Sequence, residues 1–208
     1  NHYHLNSIDL ASEVAARMRA GEFDWEKFGG THPAPFGHKI YAAAIENLFD
    51  GLTKPANGYS RAPHPIPEKP LEADCYENGR LLPPTSALKL KGFRLEEDWV
   101  PTDGAGTRKQ YVHVPTMVCE NGGSLTLEFD GKAVGLYCTC GPNAGILSYS
   151  IDGKEYPLLD TFTPWSPGLH IPWLYVLAND LEPGSHTLKL KVLKGERQGC
   201  YIRNFAAN

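Results

Sequence analysis

Three kinds of side chain in this sequence could do chemistry. The first is imidazole: the run Gly29-Gly30-Thr31-His32-Pro33-Ala34-Pro35-Phe36-Gly37-His38 carries two histidines at the entrance to an apolar segment. A histidine titrates near neutrality, so it can take a proton from a hydroxyl and hand it on. On residue type alone, a single histidine beside a proline and ahead of a helix more often serves its loop than a reaction. His38, near the edge of the apolar face that follows, reads as structural, hydrogen-bonding within the loop. The second kind is thiol, at Cys75, Cys119, Cys138, Cys140 and Cys200. Cys138 and Cys140 share a strand face, but one Cys-x-Cys without a second pair is weak ground for zinc. Five cysteines allow one or two disulfides, or none, which leaves the redox compartment open. The third kind is aromatic. Trp165 sits between Pro164 and Ser166-Pro167-Gly168, a stiff loop that would present a flat indole face of the kind that stacks on sugar rings. Its competing role is to pack against the helical segment. Trp173, Tyr175 and His170 lie close along the chain and could widen such a surface, although Trp173 and Tyr175 fit a strand's core face better. The run Asp103-Gly-Ala-Gly-Thr-Arg-Lys109 lacks the strand-loop-helix setting of a phosphate cradle and reads as a loop. No cofactor and no metal is implied.

The elements that must position these residues change character along the chain. Ile8, Leu10, Ala11, Val14, Ala15 and Met18 recur at helical steps, with Ser7 or Asp9 as cap and Gly21 as stop. Glu22 to Thr31 is irregular, anchored by Phe23, Trp25 and Phe28. A second helix follows from Pro35, with Phe36, Ile40, Tyr41, Ala44, Ile45, Leu48 and Phe49 on one broad face and Gly51 as its stop. Seven of the 17 prolines then fall between Pro55 and Pro84, and Arg61 to Pro70 reads as an extended linker. Beyond it the period drops to two: Leu125, Leu127 and Phe129; Val134, Leu136, Cys138 and Cys140; Leu188, Leu190 and Val192. Asn121-Gly122, Asp130-Gly131, Asp152-Gly153, Pro183-Gly184 and Lys194-Gly195 punctuate these runs as turns. Many short strands without intervening helices predict antiparallel β, a two-sheet sandwich or jelly roll. No internal repeat is visible.

Composition narrows the classes. The 208 residues are 41% hydrophobic and 21% charged, enough to bury a core. No apolar run approaches the ~20 residues of a membrane-spanning helix, and no membrane partner is expected. A net charge of -4 without a long basic run argues against nucleic acid. About fifty residues of helix bury too little surface to stand alone. Either they dock on the sandwich or they end a domain whose front is missing. The chain opens on Asn1, and Met18 and Met117 are its only methionines, which favours the second.

The His-Pro-x-x-x-Gly-His spacing of His32, Pro33, Gly37 and His38, followed by an Ala-containing apolar helix, resembles the last conserved block of SGNH/GDSL-type hydrolases, a family of esterases and lipases. The resemblance implies that His32 is the general base of a Ser-His-Asp triad. The family writes Asp three residues before this histidine, where the chain has Gly29; Asp24, Glu22 or Glu26 could supply the carboxylate, or none does. The family's Gly-Asp-Ser is absent. Gly122-Gly123-Ser124-Leu125 follows an Asn-Gly turn and runs into a strand, so Ser124 reads as a turn serine rather than a nucleophile. Tyr149 to Pro157, Asp160 to Trp165, Gly168 to Pro172 and Leu181 to Leu188 are similar to the jelly-roll modules attached to SGNH-type carbohydrate esterases.

The expected organisation is an α/β fragment, the last helices of an SGNH-type flavodoxin-like domain, at 1–54. A Pro-rich linker at 55–84 and an all-β antiparallel jelly-roll or β-sandwich domain at 85–208 follow it. The resemblance implies ester hydrolysis, of acetyl esters above all, on acylated carbohydrate. It also implies an upstream part of the hydrolase domain as partner, without which the chain should be inert, and an extracytoplasmic setting. The other reading is a non-catalytic sandwich that binds carbohydrate or a partner protein, with the helices as a docking element.

Overall fold

A computed structural model of the chain describes residues 2–3, 5–53 and 65–208. The chain divides into two compact units, Asn1–Ala73 and Asp74–Asn208. Each is described by itself.

In the first unit, α1 (Leu10–Arg19) begins at Asp9, whose Oδ1 accepts from the Ser12 amide at 2.9 Å and whose Oδ2 accepts from the Ser12 hydroxyl at 2.7 Å. Those two bonds satisfy a helix-start donor and fix the cap. A single turn, α2 (Trp25–Phe28), stands where the sequence reads as irregular. Helix α3 (Pro35–Thr53) runs past Gly51, the expected stop. Near an exposed helix end, glycine costs only ~1 kcal/mol against alanine and does not by itself terminate the turn.

Val14, Phe23, Phe28 and Ile40 are buried together, with Met18, Phe36 and Tyr41 packed on them. Phe28 is the hub: its ring lies 6.1 Å from Phe23, 5.6 Å from Trp25 and 5.6 Å from Tyr41, centroid to centroid. This nest covers only the first turns of α3. Ile45, Phe49 and Leu52, farther along, are exposed, Phe49 by 58%.

The proline-rich reading falls partly on 54–64, outside the described residues. Within 65–79 there is neither helix nor strand. Strand β1 (Arg80–Leu82) lies inside the stretch expected to be linker, yet it pairs with the last strand of the chain, so the sandwich begins before residue 85. The strands that follow are β2 (Ala87–Lys91), β3 (Arg94–Trp99), β4 (Val114–Cys119), β5 (Gly123–Gly131), β6 (Val134–Cys140), β7 (Ile146–Ile151), β8 (Lys154–Glu155), β9 (Leu159–Asp160), β10 (Ile171–Ala178), β11 (Gly184–Val192) and β12 (Cys200–Ala207).

They form two six-stranded sheets. One runs β10-β6-β12-β4-β3, with β1 also on β12; the other runs β2-β5-β11-β7-β8, with β9 also on β7. Every strand pairing is antiparallel. Leu136, Ile202 and Phe205 from the first sheet and Leu127, Leu147 and Leu188 from the second meet in one buried layer. The fold is therefore an antiparallel β-sandwich preceded by three helices.

With one exception, the turn dipeptides are not hairpins. Only Asp152-Gly153 closes a two-residue hairpin between paired strands, β7 and β8. Asn121-Gly122 and Asp130-Gly131 each carry the chain from one sheet to the other. A turn sequence fixes a change of direction and leaves the next partner to the packing.

Cys119, Cys138, Cys140 and Cys200 are buried, and all five cysteines are free thiols. Loss of solvent pushes the Cys119 thiol up to about 11 and the Cys140 thiol to about 12, and Cys138 well above its ordinary value. These three behave as small hydrophobes at neutral pH.

The hairpin end of the second sheet is held by His186. Its Nδ1 lies 2.6 Å from Asp152 Oδ2 and its Nε2 2.8 Å from the Glu182 carbonyl, two acceptors that both call for a proton. Asp152 Oδ1 also accepts from the Thr187 amide at 2.8 Å. The Asp152 bond, then the Glu182 carbonyl, raises the His186 pKa above 6.5. A raised histidine pKa contributes stability that is full below the unfolded value and is lost as pH rises through the folded one. Thermal unfolding followed from pH 6 to 9 should show a declining midpoint for the native chain that is flattened in His186→Ala. Parallel curves for the two proteins would refute the clamp.

Candidate functional site

In the helical unit the expected catalytic loop is built from glycine contacts. Asp24 caps α2, its Oδ1 accepting from the Lys27 amide at 2.7 Å. The helix ends at Gly29, which takes φ +108°, and Gly30 follows at +72°. The Ala34 amide donates back to the Phe28 carbonyl at 2.9 Å, closing the loop that carries Thr31, His32 and Pro33. A Cβ at Gly29 would fall 2.1 Å from the Ala34 amide nitrogen. At Gly37 it would fall 2.5 Å from the Phe28 carbonyl oxygen and 2.9 Å from Pro33 Cβ, so only glycine lets α3 lie this close to α2.

His32 is exposed at the bend of this loop. Asp24 is engaged as a helix cap, and no hydrogen bond joins it to His32 among the described residues. His38, read as hydrogen-bonding within the loop, does so through its amide, which donates to the Ala34 carbonyl at 3.0 Å, while the residue itself is exposed. Helical i to i−4 geometry places that amide under Ala34 and sends the side chain outward.

In the sandwich, Trp165 crowns a tight turn and is 54% exposed. Its flanks are fixed from below. The Thr163 amide donates to Ser166 Oγ at 2.9 Å, and the buried Ser166 hydroxyl donates to the Cys140 carbonyl at 2.9 Å. The Trp165 amide donates to Thr163 Oγ1 at 3.3 Å. Trp173 corrects its expected core role. It is 38% exposed on β10, an edge strand, and stacks on Trp165 with centroids 5.9 Å apart at 27°. Tyr175 and Leu177 enter the core from the same strand, whereas Trp173 meets the Trp165 ring instead. Tyr175 does pack on the core, its hydroxyl donating to the Thr161 carbonyl at 2.9 Å.

His170 is also corrected. It is 1% exposed and lies beneath the surface that it could have widened, between the rings of Trp99 and Tyr201. Its Nε2 lies 3.0 and 2.9 Å from the two carboxylate oxygens of Asp103, so the proton sits on Nε2. The His170 amide donates to the Gly106 carbonyl at 2.8 Å, and the Gly106 amide to the Gly168 carbonyl at 2.9 Å. The 103–106 loop is thus laced to the turn that carries Trp165. Partial burial would raise the Asp103 carboxyl, but the His170 bond and then the Ala105 amide outweigh it and hold the carboxyl below 3.8. Asp103 and His170 are 67 residues apart, and nothing in their spacing announces the pair. Ser124, expected in a turn, lies within β5.

The sequence matches no protein-family model and no curated protein. The fold, however, is found in solved structures. A two-domain esterase, CEX, active on acetylated mannans superposes with a TM-score of 0.69 at 18% identity, covering 99% of this chain and 56% of that one. The same esterase co-crystallized with mannopentaose gives 0.68 at 17%, with the same coverage. The chain therefore spans a little over half the length of the structures it matches, and what it shares with them is the fold.

Replacing Asp103 by Ala would leave a buried Nε2–H without an acceptor. The expected cost is ~1–3 kcal/mol, read as a lower unfolding midpoint, with Asp103→Asn in between. A depressed carboxyl pKa contributes stability that is lost as pH falls below 3.8. The native chain should therefore lose an increment of stability in acid that Asp103→Asn lacks. Equal midpoints for all three proteins at pH 7 would exclude the clamp.

Proposed function

We propose that this chain is part of a serine ester hydrolase of the SGNH type that deacylates carbohydrate, with His32 as general base. The reading is carried by one observation. His32 is presented to solvent on a loop whose shape needs glycine at 29 and 37, directly ahead of a helix whose apolar stripe at Ile45, Phe49 and Leu52 is uncovered within its own unit. A base held ready but unengaged, beside an apolar face that calls for cover, suits a fragment of a larger catalytic domain. That domain would supply the serine and the oxyanion donors, which acyl transfer requires. The fold shared with an esterase active on acetylated mannans supports acetyl esters of polysaccharide as the substrate class. Asp24 is the proposed acid, with Oδ1 keeping its cap bond to the Lys27 amide and Oδ2 serving His32. Pro33 and Gly37 shape the loop. The sandwich would serve as the accessory module, with missing hydrolase sequence as the partner of the helices.

A second reading is favoured by the Trp165–Trp173 pair: the sandwich binds glycan on its own account. Two stacked, exposed indoles on a turn fixed by buried hydroxyls form a rigid platform with little ordering cost left to bear on binding.

Two measurements separate these readings. In the intact protein, His32→Ala should cut hydrolysis of an acetyl ester roughly 10²–10⁴-fold while the unfolding midpoint stays unchanged. An unchanged rate would remove His32 from the mechanism. Trp165→Ala should weaken retention on acetylated or plain mannan about 2–10-fold with the acetate-ester rate intact. Undiminished retention would take Trp165 out of the binding surface.

A further inference from the structure

The outer face of the second sheet carries a charge pattern that neither reading uses. On β11, Lys189 and Lys191 point outward and are exposed. Lys189 lies across from Thr126 on β5 and Ser150 on β7; Lys191 lies across from Ser124 and Ser148. Lys91 on β2 is paired with Ser124 from the other side. With Lys89 and Lys194, five lysines border two adjoining hollows of about 310 and 730 Å³ that share Ser124 and Lys191. Side chains on one strand face recur every ~7 Å, and alternate strands lie ~10 Å apart, so the ammonium groups are spread over a lattice rather than bunched.

Three features set this face apart from an ordinary solvated surface. None of the five lysines forms an ion pair among the described residues, although ion pairs occur elsewhere in the same unit. The residues that flank Lys189 and Lys191 across the strands are hydroxyls, where a self-neutralising surface would place carboxylates. Lysines on an edge strand such as β2 can be explained as guards against edge-to-edge pairing. Lys189 and Lys191 are on the central strand, which has no free edge to guard. The acidic groups on this face are marginal: Glu155 on β8 closes the Lys189 row at one end, Asp160 opposite Ile146 is paired with Arg197, and Glu128 and Asp130 lie beyond Thr126, outside both hollows.

We infer that this face is a binding site for an acidic polysaccharide, a chain carrying carboxylates at intervals. The lysines take the carboxylates while the half-buried Ser124 and Ser148 offer hydrogen bonds to sugar hydroxyls. The inference rests on the carbohydrate reading above but places acidic glycan on a face separate in sequence from the Trp165 turn. Uncompensated positive charge over a broad area attracts a polyanion at long range, and the hydroxyl floor supplies the contacts that a bare charge patch lacks. Glu155 repels such a ligand at one end, so the chain lies over Lys191 toward Lys194.

Affinity electrophoresis of the whole chain through gels containing polygalacturonate, neutral mannan or duplex DNA tests this. Polygalacturonate should retard the native chain. The double variant Lys189→Gln/Lys191→Gln should lose roughly fivefold or more of that affinity, and Lys191→Arg should keep it. Retardation should fall at 0.5 M salt, where charges more than a few ångströms apart are screened. Glu155→Gln should strengthen it. Mannan retardation should be untouched by the lysine variants and reduced by Trp165→Ala. Equal retardation of native and double-variant chains in polygalacturonate would overturn the site while leaving the mannan reading intact. Retardation by DNA as strong as by polygalacturonate would overturn the choice of glycan. Absence of retardation in every glycan gel would sink this inference and the glycan-binding reading together.

Discussion

Everything in the sandwich follows from a single apolar layer shared by two sheets. Because side chains alternate along a strand, committing Leu125, Leu127 and Phe129, or Leu188, Leu190 and Val192, to that layer commits their neighbours to the outside. The two outer faces then receive different treatment. On the first sheet, Trp99, Val118 and Tyr201 form a second small core, and His170 lodges against two of those rings. On the second sheet Lys189 and Lys191 face solvent, Ser124 and Ser148 are half-buried, and Thr126 and Ser150 are buried. A one-residue slip of β11 would bury Lys189 and Lys191 and expose three core residues at once. The register that holds the core together therefore also assembles the cationic face.

The helical unit works on a smaller scale, through the ring and carbonyl of one residue. Phe28 centres the aromatic nest, accepts the Ala34 amide that closes the loop, and forms the floor on which Gly37 rests. The position of His32 is thus determined by atoms that do no chemistry themselves. The nest is too small to use all the apolar surface of α3, and the remainder of that stripe gives the proposed function its weight.

The strand cores were legible because period two is a local property: Val134, Leu136, Cys138 and Cys140 fall inside as their alternation requires. Helices α1 and α3 were legible from their stripes and from Asp9 and Pro35 at their starts. Other features depended on partners distant in sequence. Trp173 stays out of the core that Tyr175 and Leu177 of the same strand join, because its ring stacks on the Trp165 turn. His170 sinks because Asp103 reaches it from far along the chain and Gly141 leaves room: a Cβ there would lie 2.2 Å from its ring. The same is true of β1, whose three residues become a strand only because the end of the chain runs beside them. Of the candidate site, the sequence singled out His32 and Trp165, and both stand exposed. It could not tell that Asp24 caps a helix, because α2 is a single turn with no apolar period to announce it.

The buried cysteines have a consequence for what the sandwich depends on. Its layers are joined by contact alone, with no covalent cross-link between strands. At Cys119, Cys138 and Cys140 burial keeps sulfur in the form that neither attacks a disulfide nor captures a soft metal. The sandwich therefore rests on the packing of its two layers, with the sulfurs of these three residues serving as apolar volume within it.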